Sequence, residues 1–350
     1  MNRRRILSRR EMLTQCSTGF GMLALQGLMA NSAFAGTLRR SHFKPRAKHV
    51  ILCYMSGGVS QVDSFDPKPK LRDLHGKPMP VKILRTQFNN NGNVMASPFE
   101  FKRYGQSGTP VSSMFPHVAE SVDELAVIRS MTSKVNEHAQ GNYAFHTGFP
   151  FMGHPSAGAW VSYGLGTENG NLPAFVTICP TLAHGGVKNW GSGFLPAPFQ
   201  GTPIGNASLS SADARVPYLE NLRHPRQLQR LKLDLLGQFN RRHLDNFGDD
   251  GDLEARINSF ELAFRMQGEI PEIQDLSKES KDTHKLYGLD QEITADFGRQ
   301  CLLARRFLER GVRFVQVTHS DTMVQWDQHS NLLSGHTKNA RDCLLYTSPS

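Results

Sequence analysis

Carboxylates and imidazoles recur just after three of the chain's apolar runs. The run His49–Met55 is followed by Ser56, Ser60, Asp63 and Asp66, and the run Leu125–Ser130 by Asn136, Glu137 and His138. A third, Val312–Thr318, is followed by His319, Asp321, Asp327 and His329. In open α/β sheets ligands bind beyond the carboxyl ends of the strands, so these positions are where chemistry belongs. Aspartate and histidine together form the donor set that zinc-type hydrolytic sites need, in which a divalent cation, zinc, calcium or similar, assists attack on an ester.

Each candidate also has a structural reading. Asp63 and Asp66 lie in Val62-Asp63-Ser64-Phe65-Asp66-Pro67, where an Asp beside Ser or before Pro is equally a turn former. His138 opens a predicted helix and has local hydrogen bonding as its alternative. Asp327 and His329 are more specific, because two ligand-type residues follow a buried strand after a short loop. His319 and Asp321 are balanced between the two readings, whereas His146, His154 and His184 favour structural or surface roles. Other chemistries lack their signatures. Gly105-Gln106-Ser107-Gly108-Thr109 lacks the last glycine of a nucleophile elbow, and Gly164–Gly170 is misspaced for a dinucleotide loop.

Positioning these residues requires a sheet. The apolar runs at 49–55, 125–130, 173–179 and 312–318 are continuous rather than alternating, the pattern of strands buried on both faces. Helices are predicted at 138–147, 156–165, 214–245, 251–268 and 291–310. The last carries Ile293, Phe297, Cys301, Ala304 and Leu308 on one face, with Gly311 as its stop. Strands alternating with helices predict an α/β fold with a mostly parallel sheet flanked by helices. The stretch 183–205, rich in Gly and Pro with Trp190, Phe194 and Phe199, predicts a long ordered loop.

A net charge of +9 suggests nucleic acid, but its distribution excludes that partner. Residues 1–35 carry +4 and residues 36–48 carry +5, so the remainder is balanced. Cys53, Cys179 and Cys301 sit in apolar elements without metal or disulfide spacing, which predicts buried free thiols. The first 35 residues read as a twin-arginine export signal, with Ser8-Arg9-Arg10-Glu11-Met12-Leu13, a weakly apolar run and Ala33-Phe34-Ala35. The expected partner is the twin-arginine export machinery, the destination is the periplasm or the medium, and no stable membrane span remains after cleavage. Residues 36–48 are a basic flexible lead-in to an α/β domain at 49–342. The tail Cys343–Ser350 matches a translated sequencing adapter, so the natural chain is expected to continue past residue 342.

From His49 to Asp342 the chain resembles the exported bacterial proteins grouped as domain of unknown function 1501. The motifs include Ser56-Gly57-Gly58-Val59-Ser60-Gln61-Val62-Asp63-Ser64-Phe65-Asp66-Pro67, His146-Thr147-Gly148, Gly158-Ala159-Trp160-Val161-Ser162-Tyr163-Gly164, Glu309-Arg310-Gly311-Val312-Arg313-Phe314-Val315 and Trp326-Asp327, in the family's order. That family is similar in fold to the alkaline-phosphatase and sulfatase superfamily, which implies a divalent-metal site and cleavage of phosphate or sulfate esters. The resemblance implies that Asp63 or Asp66 stands where the superfamily has its first-strand metal carboxylate, and Asp327 and His329 where it has a later Asp and His pair. His138 then falls in the region of the nucleophile, and His319 joins the candidate metal set. It also implies a C-terminally truncated domain, with a further acidic motif and a Gly-Arg-Asp-His segment beyond this chain's end. The formylglycine sequence of sulfatases is absent, since Cys179-Pro180-Thr181 does not provide it.

Two functions follow as expectations. One is an exported metal-dependent hydrolase of sulfated or phosphorylated substrates. The other is a non-catalytic secreted binding protein for an anionic polysaccharide or an envelope partner, suggested by the aromatic, glycine-rich loop around Trp190.

Overall fold

In a computed structural model of the chain, residues 44, 46–82, 92–217, 219–221, 223–248, 251–320 and 325–343 are described. The export signal, most of the lead-in, Asp321 and the tail beyond Cys343 lie outside the described residues. From His49 onward the elements run β1 (Val50–Met55), α1 (Pro69–Asp73), β2 (Phe101–Tyr104), β3 (Thr109–Ser112), α2 (Pro116–Glu120), α3 (His138–Thr147) and α4 (Ala157–Leu165). They continue as β4 (Phe175–Ile178), β5 (Thr202–Ile204), α5 (Arg226–Phe247), α6 (Gly251–Gln274), α7 (Lys281–Leu286), α8 (Glu292–Glu309), β6 (Phe314–His319) and α9 (Leu332–Asp342). The main sheet has the order β1-β6-β4-β5, parallel throughout, and β2 and β3 form a separate antiparallel hairpin.

β6 is central because all six of its residues are buried, and its Val315 and Val317 suit a pleat covered on both sides. Side chains alternate across a sheet, so its two faces meet different partners. Phe175 and Phe314 cluster with Trp190 and with Val161 of α4, whereas Val176, Ile178, Val315 and Val317 join the main core with Phe297, Leu302, Leu303 and Phe307 of α8. A Cβ at Gly158 would stand 2.6 Å from the Phe175 ring, which is how closely α4 lies on the first face.

The end of α8 has the predicted stop. Gly311 has φ +92°, its N–H donates to Leu308 O at 2.9 Å, and Val312 N–H donates to Phe307 O at 3.1 Å. This double bond from the two residues after the cap is a Schellman motif, and it turns the chain straight into β6. The buried face of α8 is rotated from the predicted one. Phe297 and Ala304 are inside with Leu302, Leu303 and Phe307, while Ile293 is half exposed.

Other expectations need correction. Leu125–Ser130 forms no strand; Leu125 and Ile128 are exposed, so the run is apolar without a ladder partner among the described residues. β1 is an edge strand, and Val50, Ile51 and Cys53 are exposed rather than buried. Cys179 is a buried free thiol as expected and Cys301 is half-buried. α5 begins at Arg226, since Pro217 and Pro225 keep the preceding segment irregular. The loop 183–205 contains β5 and two short 3-10 turns, and its Trp190 is buried. No helix among the described residues is long and apolar enough to cross a membrane.

Gly298 of α8 faces the Tyr287 carbonyl so closely that an added Cβ would lie 1.9 Å from its oxygen. Alanine raises helix propensity by about 1 kcal/mol over glycine, yet the forced displacement costs about 1–3 kcal/mol. Gly298→Ala is therefore expected to lower the urea-unfolding free energy. A net stabilisation would show that α8 does not approach Tyr287 this closely.

Candidate metal centre

The loop that follows β6 is anchored before it reaches any ligand. Ser56, at the exit of β1, donates its N–H to His319 O at 3.2 Å and accepts from Trp326 N at 2.9 Å. The Trp326 indole, buried against Phe115 and His336, donates to Nδ1 of His319 at 2.9 Å. Burial pushes the His319 pKa down to about 4, assisted by Lys338 and opposed by Asp296, so the imidazole is neutral and fit to accept that bond. Asn339 and Gln328 side-chain amides both donate to Gln325 O, which closes the turn leading to Asp327.

The opposite wall is the first turn of α3. Glu137 caps this helix, its carboxylate accepting from Ala139 N at 2.9 Å and Gln140 N at 3.0 Å, and those two bonds hold its pKa below the usual carboxylate value. The helix is tied to β1 by Tyr54 Oη donating to Asn142 Oδ1 at 2.6 Å, and by the His146 ring lying edge-on against Tyr54. His138 occupies the first helical position and so faces the end of β1.

Between these walls three side chains meet. His138 Nε2 lies 3.0 Å and His329 Nε2 2.8 Å from the same oxygen, Oδ2 of Asp327. One potential ligand atom from each residue lies within 4.8 Å of the others. Ligands bonded at about 2.0–2.2 Å to a tetrahedral zinc stand roughly 3.3–3.6 Å apart, so the two N···O contacts would have to open slightly to admit an ion between them. Beside it runs a cleft of about 460 Å³, lined by Met55, Gly57, Gly58, Asn136, His138 and Phe145 among others. Gly57 and Gly58 have φ of +94° and +82°, which lets the chain turn directly after β1 and leaves the cleft a floor without side chains.

The remaining sequence candidates stand elsewhere. Asp66 is paired with Lys68 at 2.7 Å. His319 is occupied by Trp326 and packed edge-on against Phe297, in a core position. Asp63 is buried, with Oδ2 accepting from Ser60 Oγ at 2.5 Å and Oδ1 without a hydrogen bond. Its neighbour His336 accepts from Ser60 N at 3.2 Å, and its pKa is lowered by burial against the opposing charge of Asp63. Asp63, Asp66 and His319 are not members of the three-residue group, whereas His138, read as catalytic, is. Sequence reasoning missed Tyr54 and Asn142, which carry no ligand signal and act only through tertiary contact.

A family model described as "Protein of unknown function (DUF1501)" matches residues 47–343. The chain belongs to that family. No curated protein and no solved structure matches it. The DUF1501 match spans both walls of the group, from β1 through α9, so the candidate ligands all lie in family sequence.

Two histidines of this DUF1501 domain report on acid stability. Burial pushes His146, like His319, down to about 4, while the unfolded residues titrate near 6.5. Their stabilising contribution is complete above pH 6.5 and is lost as pH falls toward 4, because the unfolded chain takes up protons that the fold refuses. Between pH 6.5 and about 5, above the ordinary range of the carboxylates, the melting midpoint is expected to fall with proton uptake from both rings and a further contribution from His336, which burial also lowers. His146→Phe should reduce that uptake by about one proton, and a pH-independent midpoint in this window would contradict the burial of both rings.

Proposed function

We propose that this chain is an exported metal-dependent hydrolase of phosphate or sulfate esters, with His138, Asp327 and His329 as ligands of a divalent cation. The observation that carries the reading is the convergence of these side chains from two separate segments on one another, beside a cleft at the end of β1 that His138 lines. The donor chemistry fits the group: two imidazole nitrogens and one carboxylate oxygen make the His₂-carboxylate set of catalytic zinc, which leaves room for a substrate oxygen. A bound cation would supply Lewis-acid polarisation of an ester oxygen and offset its charge.

The chain's own residues do the positioning. Asp327 is fixed by the Trp326 anchor, and its carboxylate orients both imidazoles through Nε2. His138 is fixed by the Glu137 cap and the Tyr54–Asn142 bond. The glycine floor lets a tetrahedral anion approach the backbone at the end of β1. Export by the twin-arginine route belongs to the same proposal, because that route carries folded proteins and would let the centre form beforehand.

A second reading, a secreted protein that binds an anionic polysaccharide, is favoured by a different surface. Exposed rings of Phe149, Phe194, Trp160 and Tyr163 and the half-buried ring of His154 contact one another in series, with centroid separations of 4.0 to 6.3 Å. Of these, His154 lines a cleft of about 460 Å³ that includes Thr147, Lys188 and Gln200. Exposed apolar surface rimmed by polar groups marks an interaction site.

The purified chain is expected to bind zinc or a similar ion stoichiometrically and to turn over an aryl phosphate or aryl sulfate. Asp327→Ala should weaken metal binding and turnover by about 100-fold or more. Absence of both metal and turnover in the wild-type chain rejects the hydrolase. For the second reading, Trp160→Ala with Phe194→Ala should abolish retention on a sulfated polysaccharide while leaving metal content unchanged, and undiminished retention would reject it.

A further inference from the structure

We propose that His184 is a fourth ligand of the metal centre, an inference that rests on the hydrolase reading above. Its ring packs against the His138 ring, with centroids 4.7 Å apart. No hydrogen bond among the described residues engages its ring nitrogens, so the imidazole has donor capacity to spare.

The backbone is the second observation. His184 has φ +45°, one of three non-glycine residues with positive φ among those described. Positive φ is uncommon for any residue but glycine, and asparagine and histidine are among the few types that accept it, at a modest cost relative to glycine. Strain of this kind persists only where surrounding structure over-determines it, and here it does. The His184 carbonyl accepts from Asn142 Nδ2 at 2.8 Å and from Asn189 Nδ2 at 3.3 Å. Asn142 is itself held by Tyr54. The following residue, Gly185, has φ +110° and no space for a Cβ, which would lie 2.8 Å from both Asn189 and Tyr143. Three elements therefore clamp one strained carbonyl, and the side chain presented by that clamp is an unengaged imidazole beside His138.

As placed, the His184 nitrogens are outside the 4.8 Å group formed by His138, Asp327 and His329. The ring is only half-buried, and rotation about its side-chain bonds carries a nitrogen toward the group while the clamped backbone stays still. With His184 the donor set would be three imidazoles and one carboxylate, closed in the resting site, and His184, on a loop rather than a helix, is the ligand that would yield the open position the hydrolase reading needs.

The test uses the full 350-residue chain and Co²⁺ as a spectroscopic substitute for Zn²⁺, with affinity by calorimetric titration and metal-free stability by thermal melting. His184→Asn keeps a residue suited to positive φ but removes the donor. It is expected to weaken metal binding more than the roughly 10–100-fold that loss of an outer-shell partner costs, and to change the Co²⁺ visible spectrum. The metal-free melting midpoint should stay or rise, by up to about 2–4 °C, because strain is relieved. Wild-type affinity and an unchanged spectrum in His184→Asn overturn the proposal while leaving the hydrolase reading intact, provided Asp327→Ala abolishes binding. A fall in the metal-free midpoint that accompanies the loss of affinity overturns it too, since the histidine would then be structural. If the wild-type chain binds no metal, both readings fall together.

Discussion

One buried hydrogen bond, from the Trp326 indole to Nδ1 of His319, decides where the ligand-bearing loop stands. An indole N–H can only donate, so its partner must be an unprotonated ring nitrogen. Burial that holds His319 near a pKa of 4 ensures that state at any neutral pH. The same tryptophan gives its backbone N–H to Ser56 O, so a single residue joins the exits of β6 and β1. Asp327 is the next residue along the chain. Its carboxylate has little freedom left once its neighbour's ring and backbone are both committed.

The other wall depends on β1 as well. Tyr54 leaves the strand to donate to Asn142 on α3, and Asn142 in turn donates to the His184 carbonyl. Burial pushes the Tyr54 phenol up to about 12, so it remains a donor throughout the physiological range. Each bond adds about 1 kcal/mol net, but removing one partner strands a half-buried polar group at a cost of about 1–3 kcal/mol. The two walls are thus registered to one strand, and β1 is registered in turn by its parallel pairing with β6 from Val50 to Met55. This arrangement explains how residues nearly two hundred positions apart in the chain, His138 and Asp327, reach hydrogen-bonding distance.

Where burial and local stops decide the outcome, the sequence was readable: β4, β6, α3, α4 and α8 lie close to the expected spans, and Gly311 ends α8 as anticipated. Leu125–Ser130 failed because an apolar run shows that burial would be favourable, not that a ladder partner exists. β5 was missed because Thr202, Pro203 and Ile204 form too short a run within a Gly- and Pro-rich stretch, and Pro is admissible there on a sheet edge. At the site, Asp327, His329 and His138 were visible as ligand types after apolar runs. Asp66 and His319 looked the same in sequence, and their partners in the fold, the local Lys68 and the buried Trp326, distinguish them. His184 sat among glycines with a turn-like context, and its signal is a backbone angle that no composition reveals.

The histidines illustrate how the fold sorts identical side chains into different work. His146 and His319 are packed against aromatic rings and depleted of solvent, which makes the protonated form costly and restricts them to neutral roles in the core. His138, His184 and His329 keep contact with solvent at the end of β1, where an imidazole can exchange a hydrogen bond for a metal bond without exposing an uncompensated charge. Within the second set, His138 and His329 are further distinguished by their contact with Asp327. An acidic oxygen that already accepts from two imidazoles leaves both rings aimed at one point, and a cation at that point would replace each N–H···O contact by a metal–nitrogen bond, with the proton of a neutral ring moving to Nδ1. The hydrogen-bonded triad and the proposed metal centre would therefore be two states of the same atoms. The rigidity of the Trp326 anchor keeps the change between them confined to side chains.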